Sequence, residues 1–288
     1  MGLNFYPSQF KIPKVPLGDG FGGIGVLEDK VLRELETRID ALKHKDEDKG
    51  EARKTLDEVF DHSTLLTIYK LFTEGVVDTV EFSISTGKEA NVFFAKSKDG
   101  PKVLKIFRVS NATFKTISKY ITGDPRFGSP GKDRRRILFK WAQKEYANLE
   151  KAMAVRARVP EVFDCRNNVL VMEYLGTETQ PAPMIKDVDI EDAQAFYEDV
   201  MLQVRRLFHK AELVHADLSE YNILMHKGKP YIIDMGQAVL RRHPMAREFL
   251  ERDVKNLAHM FRRKGFNVTP MKVMQDLMKP VIEDKQEG

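Results

Sequence analysis

The feature that most constrains this chain is a run in which short apolar segments end on carboxylates at fixed intervals. Val214-His215-Ala216-Asp217-Leu218-Ser219-Glu220-Tyr221-Asn222-Ile223-Leu224 is followed, after a short hairpin, by Tyr231-Ile232-Ile233-Asp234-Met235-Gly236. An apolar strand ending in Asp delivers that carboxylate to a sheet edge, where it can hold a cation. A loop carrying Asp and, five residues on, Asn can offer one side chain to proton transfer and the other to a metal. Those are the parts that phosphoryl transfer from Mg-ATP requires.

Composition narrows the setting. A chain of 288 residues is enough for one two-lobed domain or two small ones, with ample core. The single cysteine, Cys165, excludes a disulfide framework and a thiolate cluster and fits a reducing compartment. No apolar run reaches the roughly 18 residues that would span a membrane. The stretch from Met1 to Tyr6 lacks signal-peptide regions, and Tyr6 breaks the myristoylation pattern. The expectation is a soluble, cytoplasmic protein with no membrane partner.

Charge is unevenly spread. Residues 96–158 hold 17 Lys/Arg against 5 Asp/Glu, a local net of +12, within a chain whose total is only +4. One basic segment on an otherwise acidic chain suits a polyanion such as nucleotide phosphates or RNA, although a solvated face would look the same.

Residues 1–27, with Pro7, Pro13 and Pro16, read as a flexible arm. The Gly20-Phe21-Gly22-Gly23-Ile24-Gly25 pattern inside it lacks the preceding buried strand that a dinucleotide site needs. Residues 28–76 read as a helical extension: Val31, Leu32, Leu35, Ile39 and Leu42 recur at helical spacing. Leu56 to Phe72 do so again, with a break near Asp61-His62-Ser63. From Val77 the pattern turns to strands. Val80–Ile84 and Asn91–Ala95 flank the small polar turn Ser85-Thr86-Gly87-Lys88-Glu89-Ala90, which can fold over phosphates. A third strand, Val103–Phe107, buries Lys105, which needs an anionic partner unless it snorkels from an edge.

Residues 108–136 read as a long flexible basic loop. A helix then runs from about Asp133 to Val155. On it Glu145 shares the apolar face of Leu138, Trp141, Leu149 and Ala152, whereas Glu150 lies off that face. A carboxylate so placed is costly unless a cation meets it, and Lys105 is the candidate. Strands at Glu161–Cys165 and Val169–Tyr174 lead into Glu173-Tyr174-Leu175-Gly176, a connection where adenine would meet backbone groups. Asp189, with Asp192 three on, is expected to open a helix through Ala211. Two further helices cover about Pro244–Lys264 and the stretch after Thr269-Pro270.

The spacing of His215, Asp217, Asn222 and Asp234 matches the protein-kinase catalytic loop and metal-binding Asp, with Ala216 in place of Arg and Met235 in place of Phe. The turn at residues 85–91, the 215–222 loop and Ile232-Ile233-Asp234 together resemble the RIO family of atypical serine/threonine kinases. Trp141–Leu149 and Asp61–Leu65 are similar to its type-one branch, and the compact length to its archaeal members. The resemblance implies an α+β, two-lobed kinase-like fold. It would have an antiparallel-sheet N-lobe over 77–174, a reduced, mainly helical C-lobe over 175–288, and extra N-terminal helices.

The resemblance also assigns roles. Lys105, held by Glu145, would contact the ATP phosphates, as would the turn Ser85, Thr86, Gly87, Lys88 and Glu89. Backbone groups of Glu173 and Leu175 would bind adenine, with Tyr221 alongside. Asn222 and Asp234 would hold Mg2+, or Mn2+ in its place, and Asp217 would position or deprotonate the acceptor. In such kinases the Asp at 234 can itself accept the phosphoryl group, implying an ATPase-like switch. The implied role is ATP-dependent maturation of the small ribosomal subunit, with pre-ribosomal RNA rather than DNA as partner of the basic segment. Only 52 residues follow Gly236, and no Ala-Pro-Glu sequence closes an activation loop, so a peptide-docking platform is not expected. The competing readings are a small-molecule phosphotransferase of the aminoglycoside-kinase kind and an RNA-binding scaffold without turnover.

Overall fold

A computed structural model describes residues 12–13, 33, 60–87, 89–108, 117–128, 131, 133–177 and 180–281. The expected arm at 1–27, apart from Ile12 and Pro13, and the expected helix over 27–42, apart from Arg33, lie outside those residues. The chain divides into two compact units, one built on a sheet and one mainly helical.

Among the described residues the sheet unit has six strands in the order β1-β2-β3-β4-β6-β5, neighbours pairing antiparallel. They are β1 (Ile12–Pro13), β2 (Thr79–Thr86), β3 (Ala90–Ser97), β4 (Gly100–Phe107), β5 (Val162–Arg166) and β6 (Val169–Glu173). Strand alternation sorts their side chains onto two faces. Leu104, Ile106, Phe93, Val169 and Val171 pack with Ile68, Leu71 and Phe72 of helix α1 (His62–Thr73). Phe94, Val103 and Tyr174 cluster on their own, with Phe82 stacked on Phe94. Helix α1 starts where the apolar pattern breaks, because the Asp61 carboxylate accepts a 2.8 Å bond from the Thr64 amide.

In the helical unit, α3 (Ala193–Arg205) is capped by Asp192, whose carboxylate accepts from the Ala195 amide; it begins three residues later than Asp189 would have set it. Its predicted continuation to Ala211 is a widened π turn over Arg206–Lys210. Two short antiparallel pairs follow: β7 (Leu213–Val214) with β10 (Val239–Leu240), and the hairpin β8 (Ile223–His226) with β9 (Lys229–Ile232). Helix α4 (Ala246–Arg263) buries Phe249, Val254, Leu257 and Phe261, and α5 (Pro270–Leu277) starts on Thr269 and Pro270 as the sequence predicts.

The long helix α2 (Arg134–Ala154) contributes its residues to 142 to the sheet unit and the rest to the helical unit. Part of the stretch read as a flexible loop is packed: residues 117–121 are helical, and Ile117, Tyr120 and Ile121 are buried. Their i, i+3, i+4 spacing forms one apolar face, and Tyr120 meets Phe249 at 5.1 Å between ring centroids. Among the described residues no helix is long and apolar enough to cross a membrane.

Candidate functional site

Hairpin register brings the chemistry of the helical unit together. Lys227 and Gly228 both have positive φ (49° and 72°), the geometry of a tight two-residue turn, which pins Ile223 opposite Ile232. Asn222 and the Ile233-Asp234 pair therefore leave the hairpin at the same end, joined by the Ile233 amide donating to the Asn222 carbonyl at 3.0 Å. His215 Nε2 bonds the Ile233 carbonyl at 3.0 Å, so this nitrogen carries the proton and ties the Asp217 loop to the Asp234 strand. Asn222 Nδ2 donates to the Asp217 carbonyl at 2.8 Å and lies 3.3 Å from Asp217 Oδ2.

The Asp217 loop is held from behind. Ala216 is fully buried with φ of 67°, a conformation that an L residue adopts at a cost. Asp253, buried on α4, accepts from the Ala216 amide at 2.7 Å and the Leu218 amide at 2.9 Å. Arg252 donates to the Ala216 carbonyl, and Gln237 donates to Asp217 Oδ2 at 3.3 Å. Burial raises the Asp217 carboxyl above the usual carboxylate range, and the charge of Asp234 adds to this; His215, Arg252 and Asn222 pull the other way. Burial also pushes Asp253 up to about 6, against His215, its two amide donors and Arg252.

The neighbouring Asp217 and Asp234 carboxylates and the Asn222 carboxamide oxygen make a hard, oxygen-only donor set. That set fits Mg2+, which is usually held by one or two carboxylates together with ligand phosphates and water. Among the described residues no group of three or more His, Cys, Asp or Glu side chains is placed to hold a metal ion.

The sheet unit carries the other candidates. Lys105 lies on a central strand, opposite Val92 of β3 and Leu170 of β6, and is 8% exposed, so the snorkelling-edge reading does not hold. Strand alternation puts it on the face of Val103, away from α1, and its Nζ is 5.3 Å from the Phe107 ring centroid. Ser85 and Thr86 end β2, paired with Val92 and Asn91, and Lys88 lies outside the described residues. The turn is closed by Gly87 donating to the Ala90 carbonyl (2.9 Å) and by Arg108. Arg108 gives Nη2 (2.8 Å) and Nε (3.2 Å) to the Gly87 carbonyl and its amide to Glu89 (3.0 Å).

Arg108→Ala should therefore loosen the turn without unfolding the sheet. Losing about 1 kcal/mol of preorganisation corresponds to roughly a five-fold rise in the KM for ATP. Steady-state kinetics on the folded variant checks this, and an unchanged KM removes the turn from nucleotide binding.

Glu145 is 1% exposed on α2, in line with buried Leu138, Trp141, Leu149 and Ala152, while Glu150 is exposed as expected. Glu173 ends β6 opposite Lys102. The Leu175 carbonyl accepts from the Ala182 amide at 2.8 Å, so of its two backbone groups that one already has a partner. Tyr221 is 55% exposed, with Lys186 Nζ 5.6 Å from its ring. The structure thus gathers Asp217, Asn222 and Asp234 directly and places the others on their own elements.

Asp253, Gln237, Arg252 and Arg108 were not found from sequence. Asp253 carried a readable signal, an acid inside the apolar stripe of α4 between Phe249 and Leu257, of the same kind that singled out Glu145. Gln237 and Arg108 bond across turns and carry no periodic signal.

Residues 91–274 match the family model described as the RIO domain. The chain is 42% identical to the RIO-type serine/threonine-protein kinase Rio1 of Haloferax volcanii, covering 86% of both chains. It is 40% identical to Rio1 of Methanocaldococcus jannaschii, covering 73% of this chain and 72% of that one. Against human serine/threonine-protein kinase RIO1 it is 35% identical over 83% of this chain but only 47% of that protein. In fold it is similar to the Rio2 kinase–ADP/Mg2+–phosphoaspartate complex of Chaetomium thermophilum, with TM-score 0.57, 21% identity, and 90% and 81% of the two chains covered. The two-unit α+β architecture is thus that of a kinase, and the chain belongs to the RIO family of atypical serine/threonine kinases, in its type-one branch.

Proposed function

We propose that this protein is a Mg-ATP-dependent kinase and ATPase whose own Asp234 accepts the γ-phosphoryl group before water or a serine removes it. The observation that carries this is the hairpin-fixed set of Asp217, Asn222 and Asp234. Asn222 and Asp234 would hold Mg2+, which neutralises charge building on the phosphates. Lys105 contacts the phosphates, and Glu173 and Leu175 supply backbone groups to adenine. Asp217, with its raised carboxyl, positions or deprotonates the attacking hydroxyl.

In the transfer step an Asp234 oxygen bonds to the γ-phosphorus as the bond to the bridging β–γ oxygen breaks, releasing ADP. Hydrolysis of the acyl phosphate returns the carboxylate and inorganic phosphate. The fungal Rio2 complex, described as holding ADP, Mg2+ and a phosphoaspartate, supports this reading by likeness of fold. We further propose a cytoplasmic role in small-ribosomal-subunit maturation, with the basic segment 96–158 meeting rRNA, and serine autophosphorylation as a side reaction. The charge of that segment supports an RNA partner.

The test is incubation of the full chain with γ-labelled ATP and Mg2+, followed by acid quench and hydroxylamine. Label that is retained by the protein, released by hydroxylamine and absent from Asp234→Asn is the expected result. Turnover should rise when small-subunit particles are added. Label resistant to hydroxylamine overturns the aspartyl step, and no ATP consumption under either condition overturns the enzymatic reading.

A further inference from the structure

The backbone that follows Asp234 is held by two side chains from one helix. Lys144 and Asn148 lie one turn apart on α2 and are fully buried. Lys144 Nζ donates to the Gly236 carbonyl at 2.8 Å and also to the Ala238 carbonyl. Asn148 Nδ2 donates to the Met235 and Ala238 carbonyls, both at 2.8 Å. The carbonyls of residues 235, 236 and 238 are thus all engaged by this pair.

A second layer locks the first. Asn148 Oδ1 accepts from Arg126 Nη2 at 2.9 Å, and Arg126 forks onto Asp124 with Nε–Oδ1 at 3.0 Å and Nη2–Oδ2 at 2.7 Å. Asp124 is itself buried, beside the packed 117–121 turn. Next to this network Asp234 has φ of 61°, a left-handed conformation that costs a non-glycine residue about 1–3 kcal/mol and persists where its surroundings fix it.

Packing alone does not call for a lysine here. A buried ammonium is costly, and an apolar residue of similar volume would fill the space more cheaply. Burial pushes Lys144 down to about 7; Asp124 and Glu145 work against that shift, and Arg126 adds to it. Even uncharged, the amine keeps two N–H bonds for the two carbonyls it faces. The residue is suited to gripping backbone rather than to carrying charge.

We propose that Lys144 and Asn148 are positioning residues for Asp234, a clamp that holds its carboxylate at the productive angle, with Arg126 and Asp124 linking that clamp to the 117–128 segment. The inference rests on the role given to Asp234 above. It also makes the basic segment more than a polyanion contact: a ligand that pulls on residues 117–128 acts on the Asp234 backbone through Arg126.

The test uses Lys144→Met and Asn148→Leu in the full chain, with Arg126→Ala as a milder, partly exposed variant in case either fails to fold. Hydrogen exchange of the amides at 234–239 gives a readout independent of turnover. Removing such a supporting interaction typically costs about 10–100-fold in metal affinity or activity, so turnover should fall and the Mg2+ needed for half-maximal rate should rise by that order. Exchange at 234–239 should accelerate while the rest of the helical unit keeps its wild-type pattern. Nucleotide affinity measured in EDTA should stay within about two-fold, since the clamp touches no nucleotide group.

Folded variants with wild-type exchange at 234–239 and wild-type Mg2+ dependence overturn the clamp. Exchange that rises evenly across the helical unit also overturns it, because that is what a merely structural lysine would give. A wild-type chain that consumes no ATP overturns the functional reading instead, and the exchange measurement still decides the clamp.

Discussion

Asp217→Ala is expected to lower phosphoryl transfer to water or serine by about 10³-fold, within the range for removing a positioned general base, while ATP binding is kept. The carboxylate faces Asn222 and Gln237 and is held by a loop that Asp253 and Arg252 fix from the other side, so its removal leaves the loop standing. Thermal stability should stay equal or rise. Burial and the Asp234 charge both disfavour the ionised Asp217, so the folded protein bears a cost that alanine removes. Asp217→Asn keeps an acceptor for both amide donors and should be nearly as inactive, which separates loss of the base from loss of hydrogen bonds. Steady-state ATP turnover and nucleotide binding on the same folded variants are the measurements. Retained turnover in either variant would remove Asp217 from the chemistry.

The second large effect is expected at Asp253, which is buried behind the Asp217 loop. Asp253→Ala leaves the buried Ala216 and Leu218 amides without an acceptor, at about 1–3 kcal/mol for each orphaned donor. It also frees the left-handed Ala216 to relax, so the carboxylate one residue later loses its position, and kcat should fall at least ten-fold alongside the stability. The pH dependence has a definite sign. The folded carboxyl lies at about 6, above the ordinary 3.8, so this group's stabilising share is fully present below about pH 4 and is lost as pH rises through about 6. The stability gap between wild type and Asp253→Ala should therefore narrow from pH 4 to pH 7 in chemical denaturation. A gap that widens over that range would mean the carboxylate is held ionised by its two amides and Arg252, with burial the lesser influence.

Much of this was legible because it rests on side-chain periodicity. Alternation in Val80–Ile84 marked β2, and the short apolar runs Asn91–Ala95 and Val103–Phe107, bounded by turn residues, marked β3 and β4, whose side chains are buried on both faces. Lys105 inside such a run and Glu145 inside a helical stripe stood out as polar groups in positions that burial makes costly. The Asp217–Asn222–Asp234 spacing was legible because a tight hairpin leaves few ways to arrange them.

The missed elements are those without a periodic trace. The π turn at Arg206–Lys210 and the two-residue strands β7 and β10 are too short for a pattern. Lys144 and Asn148 lie beside Glu145 on the same helix, yet their partners are backbone carbonyls about ninety residues away. Every residue has a carbonyl, so no composition or spacing reveals which ones will need a donor.

The sequence by itself thus determined most of the strands and helices, the candidate residues for phosphoryl chemistry, and the family the chain resembles, because local periodicity and a fixed spacing encode them. Only the tertiary structure decided how those residues are aimed. Asp253 behind Ala216, Arg108 on the Gly87 turn, and Lys144 with Asn148 on the turn after Asp234 are contacts between distant segments, chosen by which backbone groups folding leaves buried and unpaired.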